Sequence, residues 1–193
     1  EGEELLIRIQ ERVPGSDLGE RASMTLADAY FQNAEMSNAA VAYDLYLENY
    51  PRSPRRERAM LRLIQASLAR FKGPEFDATG LIEANQRLKE YEREFPVAAE
   101  RLGAAALRVR IDETMARKDL LTAQWYERTD DPVAALYIYR RLIRDRPQTG
   151  AAREAIERLE AIGEPIDPDQ QPDPPAEAET DAAADAPATP PTD

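Results

Sequence analysis

Arg55, Arg58 and Arg62 are spaced three and four residues apart, which puts three guanidinium groups on one face of a helical segment. A guanidinium carries paired planar donors that match a carboxylate in bidentate fashion, so this row is suited to gripping an acidic group on a peptide. The competing reading is a solvated face whose charge is offset by Glu57 and other carboxylates, the commoner fate of a charged helix face. Other chemistry is scarce. The chain has no His and no Cys, which removes the usual proton carrier near neutral pH, the thiolate nucleophile, disulfides and soft metal sites. No glycine-rich phosphate loop occurs, and the carboxylate pairs lie on ordinary charged segments. Catalysis is therefore not expected, and neither a metal nor a cofactor is implied. Asp167-Pro-Asp169-Gln-Gln-Pro-Asp173 has the acid spacing of a calcium loop but lacks its central glycine and terminal glutamate, so it reads as a spacer. Trp125 is expected in the core, with an exposed anchor for a partner as the alternative.

The elements that must position these residues are helices. In the first 163 residues Gly and Pro are scarce while Ala, Leu, Arg and Glu abound. Residues from Glu164 to Asp193 differ: they hold nine acidic residues, no basic ones and eight of the fifteen prolines. That stretch has too few apolar residues to offset chain entropy and is expected to be disordered. It also carries most of the net charge of −12; what precedes it has 28 acidic and 25 basic residues, near −3. Such a surface has no use for nucleic acid, which needs clustered Lys and Arg. No stretch approaches the roughly 20 apolar residues needed to span a bilayer. The chain begins at Glu1 and not Met, so the N-terminus is expected to be cut.

Two internal repeats organise the chain. Pro14 to Ala22 and Pro51 to Ala59 share five of nine residues, and weaker copies start at Pro96 and Pro147. More sharply, Ala27, Tyr30, Ala39, Tyr43 and Pro51 recur 96 residues later as Ala123, Tyr126, Ala135, Tyr139 and Pro147. All are residue types that pack or turn, and recurrence in one register is the signature of a repeat architecture. Small alanines let two antiparallel helices approach, tyrosines fill the wedge, and each proline closes the second helix. Helices are predicted from Ser16 or Asp17 toward Asn33, then from a cap at Ser37 or Asn38 to Pro51. Others run from about Pro54 to Phe71, Thr79 to Phe95, Ala98 to Arg117, Pro132 to Arg146 and Gly150 to Ile162. Asp119 either caps a new helix or continues the long one before it. No strand is predicted, because no stretch alternates apolar and polar residues.

Leu26-Ala27-x-x-Tyr30, Ala39-x-x-x-Tyr43 and Pro51, with their copies at Ala123 to Pro147, resemble the tetratricopeptide repeat. Where that repeat favours tryptophan, Ser23 and Asp119 stand. A narrower resemblance, over most of residues 14–163, is to the BamD family of outer-membrane barrel assembly. It rests on Tyr50-Pro51-Arg-Ser53-Pro54, Asp77-Ala-Thr79, Phe95-Pro96, Ala116-Arg-Lys118, Trp125-Tyr126-Glu-Arg128 and Ala134-Ala135 through Pro147. The proline spacings of 37, 45 and 51 also resemble that family more than a regular array.

The fold these resemblances imply is all-α: a tetratricopeptide-like helical-repeat superhelix of about four helix pairs over residues 1–163, followed by the acidic tail of 164–193. In such a superhelix the first helix of each pair lines a concave groove. Its register places Met24, Asp28, Phe31, Leu120, Gln124 and Glu127 there, beside Arg55, Arg58 and Arg62. Met24, Asp28, Leu120 and Gln124 stand where chaperone-binding tetratricopeptide domains carry their lysine and asparagine clamp, so that clamp is absent. The family resemblance implies a non-enzymatic scaffold on the periplasmic face of the outer membrane. Its implied partners are the barrel-forming subunit and unfolded barrel proteins, and its implied membrane link is an N-terminal lipid anchor on a cysteine that these 193 residues do not contain. The alternatives are another periplasmic envelope scaffold and a cytoplasmic adaptor.

Overall fold

The computed structural model describes residues 2–164, which fold into helices with no strand among them. The helices are α1 (Gly2–Arg12), α2 (Asp17–Gln32), α3 (Met36–Asn49), α4 (Arg56–Arg70), α5 (Thr79–Glu94), α6 (Pro96–Leu102), α7 (Ala104–Arg128), α8 (Pro132–Asp145) and α9 (Gly150–Ile162). None is long and apolar enough to cross a membrane. The expected disordered tail and its calcium-loop-like segment lie outside the described residues.

The proline-led turns recur as local chemistry. Tyr50, Phe95 and Arg146 each precede a proline and share one backbone conformation, with φ between −127° and −138° and ψ of 55° to 60°. The ring of the following proline clashes with a helical residue before it, which forces this departure from the helix. Two residues beyond the proline a hydroxyl starts the next helix. Ser16 accepts from the Gly19 N–H at 3.0 Å and donates to the Val13 carbonyl at 2.8 Å. Thr149 does the same with the Ala152 N–H and the Arg146 carbonyl. Each hydroxyl thereby satisfies one orphan donor of the new helix and one orphan carbonyl of the old one.

The turn inside a helix pair also repeats at the offset of 96. Ala34 and Asp130 both have positive φ, 61° and 63°. After each, a backbone N–H reaches back to a tyrosine carbonyl, Glu35 to Tyr30 at 2.9 Å and Asp131 to Tyr126 at 3.0 Å.

Three boundaries differ from the sequence reading. A further helix, α1, precedes Pro14. The cap expected at Ser37 or Asn38 is not used: α3 begins earlier, at Met36, and the Asn38 amide instead donates to the Glu35 carboxylate at 2.8 Å. The single long helix from Ala98 divides at Gly103, whose φ of 70° only glycine adopts without strain, and α7 then continues through Asp119.

The helices form two compact units. The first holds the chain up to Lys72 together with Ala78–Arg108; the second holds Gly73–Asp77 and the chain from Val109 onward. In the first, each of α1 to α6 packs on the next. Its core is built from Ala27, Ala39, Tyr43, Tyr46, Ala59, Met60, Ile64, Ala84, Leu88 and Tyr91, all almost fully buried. In the second, Leu120 and Ala123 of α7 meet Ala135, Tyr139 and Leu142 of α8 and Ala152, Ala155 and Leu159 of α9. The repeated alanines and the second tyrosine of each set are thus core, while Tyr30 and Tyr126 are half-buried at its margin.

Candidate functional site

In the first unit, α2 and α4 lie side by side under α3, and their shared outer face carries the arginine row. Each of the three arginines has a partner on α2 or beside it. Arg58 donates to Asp28 at 2.6 Å, and the other Asp28 oxygen accepts from the buried Tyr43 hydroxyl at 2.6 Å. Arg55 donates to Glu20 at 3.2 Å. Glu20 also accepts from Ser53 and Tyr46 at 2.7 and 2.8 Å, and the Ser53 bond, then that from Tyr46, holds its pKa below the ordinary 4.5. Arg62 is different. Its guanidinium lies 4.5 Å from the centre of the Phe31 ring, and the ion pairs of the described residues do not include it. Its polar contact is a long one to Gln65, 3.4 Å. The stacked guanidinium therefore keeps donors at its edge while the ring holds its plane.

Burial of Tyr43, followed by its bond to Asp28, raises the phenol's pKa well above the usual 10. The hydroxyl stays protonated and fixes the carboxylate that in turn aims Arg58. The arrangement orders one cation of the row by a salt bridge and another by an aromatic ring.

The second unit builds the corresponding face from α7 and α9 under α8. Here Glu127 accepts from the Tyr139 hydroxyl at 3.0 Å and from Arg158 through Nε at 3.0 Å and Nη2 at 2.5 Å. Those bonds, the Arg158 bond first, lower the Glu127 pKa, while burial and the same carboxylate push Tyr139 up to about 12. Gln124 donates to Glu154 at 3.1 Å, and Arg117 occupies the other Glu154 oxygen at 2.9 Å.

Of the residues placed in a groove from sequence, the structure brings Asp28, Phe31, Arg58 and Arg62 together, with Arg55 held beside them by Glu20. Gln124 and Glu127 share the other unit's face. Met24 and Leu120 are corrected: both are buried, Leu120 completely, because they occupy the turn of the helix that faces its partners in the core. Trp125 is corrected in the opposite direction. It is 43% exposed, with its ring edge-on to Tyr126 at 4.9 Å, because the neighbouring Tyr126 takes the inward direction. Glu20, Ser53 and Arg158 were not singled out in the sequence; the recurrence of Arg62 as Arg158 at the offset of 96 was the signal for the last.

The sequence matches the outer membrane lipoprotein family YfiO over residues 3–173. The chain belongs to that family. The match supports the BamD-like resemblance and covers both units, so the two faces are parts of one YfiO-family chain. Membership carries a coarse role, in the assembly of the outer membrane, and a coarse place, at that membrane. No curated protein matches the chain.

Proposed function

We propose that this YfiO-family chain is a non-enzymatic, tetratricopeptide-like scaffold of outer-membrane barrel assembly, on the periplasmic side of that membrane. It binds a barrel-forming subunit, and the α2–α4 face of its first unit takes an extended segment of an unfolded barrel protein. The observation that carries this reading is the state of Arg62: a cation held in plane by Phe31 with no carboxylate paired to it. Beside it Arg58 is already aimed by Asp28. An incoming carboxylate meets a preorganised bidentate donor there, which lowers the ordering cost of binding. The α7–α9 face lacks this feature, since Glu127 already occupies Arg158.

The reading is tested with the full chain and a synthetic peptide copying the last residues of a β-barrel protein, as the free acid and as the C-terminal amide. The acid should bind roughly tenfold more tightly, a difference on the order of one charge-assisted pair. Arg62→Ala should remove that distinction, while Arg158→Ala should leave it intact. Equal binding of acid and amide, or loss only in Arg158→Ala, contradicts the assignment.

A further inference from the structure

Outside the arginine face, the first unit carries an apolar groove walled by α1 and α3 and floored by α2. It has a volume of about 360 Å³ and is lined at its centre by Ile7, Leu26, Val41 and Leu45. No charged residue lines it; amides of Gln10, Asn38 and Asn49 stand at its margins. Val41 and Leu45 are 61% and 52% exposed, so α3 is both a wall of the groove and a protruding apolar ridge.

Register from the prolines isolates this feature. Ten and six residues before the closing proline, α3 has Val41 and Leu45. The same positions carry Glu4 and Arg8 in α1, Gln86 and Glu90 in α5, and Tyr137 and Arg141 in α8. Only α3 is apolar at both. Between α3 and α5 the equivalent space is bridged by the ion pair of Asp44 with Arg87, whereas nothing ionic crosses the α1–α3 groove among the described residues.

The ridge is also self-complementary. Along its exposed stripe it reads Asn38, Val41, Ala42, Leu45, Asn49, at the three- and four-residue spacing of a helix–helix seam. Laid antiparallel on a copy of itself about a two-fold axis near Tyr43 and Asp44, it sets Asn38 opposite Asn49 and small Ala42 opposite large Leu45. The same register brings the exposed Glu35 opposite the exposed Arg52, once at each end. A two-fold interface demands such self-matching of one patch, and ridge-in-groove packing demands a ridge beside a groove.

We infer that α3 is a self-association surface: a second copy of this chain seats its α3 ridge in the α1–α3 groove and receives the first copy's ridge in its own. One short helix and part of α1 from each copy make a small contact, so the dimer is of the transient class.

The test is sedimentation of the full chain from about 1 to about 200 µM, a range that brackets such weak interfaces. The mass should rise with concentration from 21.7 kDa toward twice that value. Val41→Glu and Leu45→Glu should each hold the chain monomeric with unchanged helical circular dichroism, and Val41→Gln serves where a charge disturbs the fold. Glu35→Arg and Arg52→Glu should each weaken association, and the two together should restore it. A chain monomeric at every concentration overturns the inference. So does a dimer indifferent to the Val41 and Leu45 changes, or one that the double charge reversal fails to restore.

Discussion

The α2–α4 face and the α7–α9 face are the same scaffold position decorated with different chemistry. Tyr43 and Tyr139 correspond at the offset of 96, and each needs a carboxylate on the preceding helix to accept its buried hydroxyl. The first unit supplies that acceptor at Asp28, the second one turn later at Glu127. This one-turn shift decides everything around it. With the acid at 28, position 31 is free to be Phe31 and the arginine at 62 is stacked and unpaired. With the acid at 127, which corresponds to 31, the arginine at 158 is saturated, and position 124 is a glutamine bound to Glu154. The buried hydroxyl fixes that an acid must be present, while the surface fixes which of two turns carries it.

Changes that strike the common scaffold should affect both units alike. Ala39→Leu and Ala135→Leu each insert a bulky side chain where two helices touch, and each should cost about 1–3 kcal/mol in denaturant or thermal unfolding. Unequal losses would mean that the two helix contacts are less alike than the repeated alanines imply.

The acceptor shift can be reproduced by substitution. Asp28→Ala strands the Tyr43 hydroxyl and should cost about 1–3 kcal/mol. Adding Phe31→Glu recreates the arrangement of the second unit, with an acid placed for both Tyr43 and Arg62, and should recover most of that loss. No recovery in the double variant would separate the two faces as unrelated solutions.

A smaller effect is expected at the repeated turn. Ala34 and Asp130 hold left-handed backbone, which costs an L-residue roughly 1 kcal/mol. Ala34→Gly should therefore stabilise the chain by about 0.5 kcal/mol after the extra freedom of an unfolded glycine is counted. Asp130→Gly should gain less, since aspartate tolerates this conformation better than alanine.

The pH dependence is the gentlest probe. Glu20 and Glu127 have lowered folded pKa values, so their contribution is present above the ordinary 4.5 and is lost as pH falls through the folded value. Tyr139, raised to about 12, contributes fully below 10 and loses that contribution as pH rises toward 12. Glu127→Gln should flatten the acid limb of the unfolding profile and leave a remainder due to Glu20.

Much of this architecture was legible in the residues. Ser16, Asp131-Pro132 and Gly163 set the ends of α2, α8 and α9 because caps act through adjacent backbone groups. The alanine and tyrosine pattern located the core for the same reason. What the sequence concealed depends on contacts across space. Glu20 and Ser53 are 33 residues apart, yet they join through a shared bond to Arg55's partner site. Met24 and Trp125 were assigned to the wrong sides because one residue of rotation, about 100° on a helix, separates core from surface. The break at Gly103 was hidden by the alanine-rich run after it, whose propensity favours an unbroken helix. The arginine row itself was visible, but its division into two paired cations and one stacked on an aromatic ring was not.

The most direct test transfers the second unit's chemistry into the first. Phe31→Glu in the full chain places a carboxylate against Arg62 while leaving Arg55, Arg58 and Asp28 in place. If the α2–α4 face binds through the unpaired guanidinium, this variant should keep its helical content and lose the preference for free-acid over amidated barrel peptide by roughly tenfold. Undiminished preference in a folded Phe31→Glu chain would contradict the account.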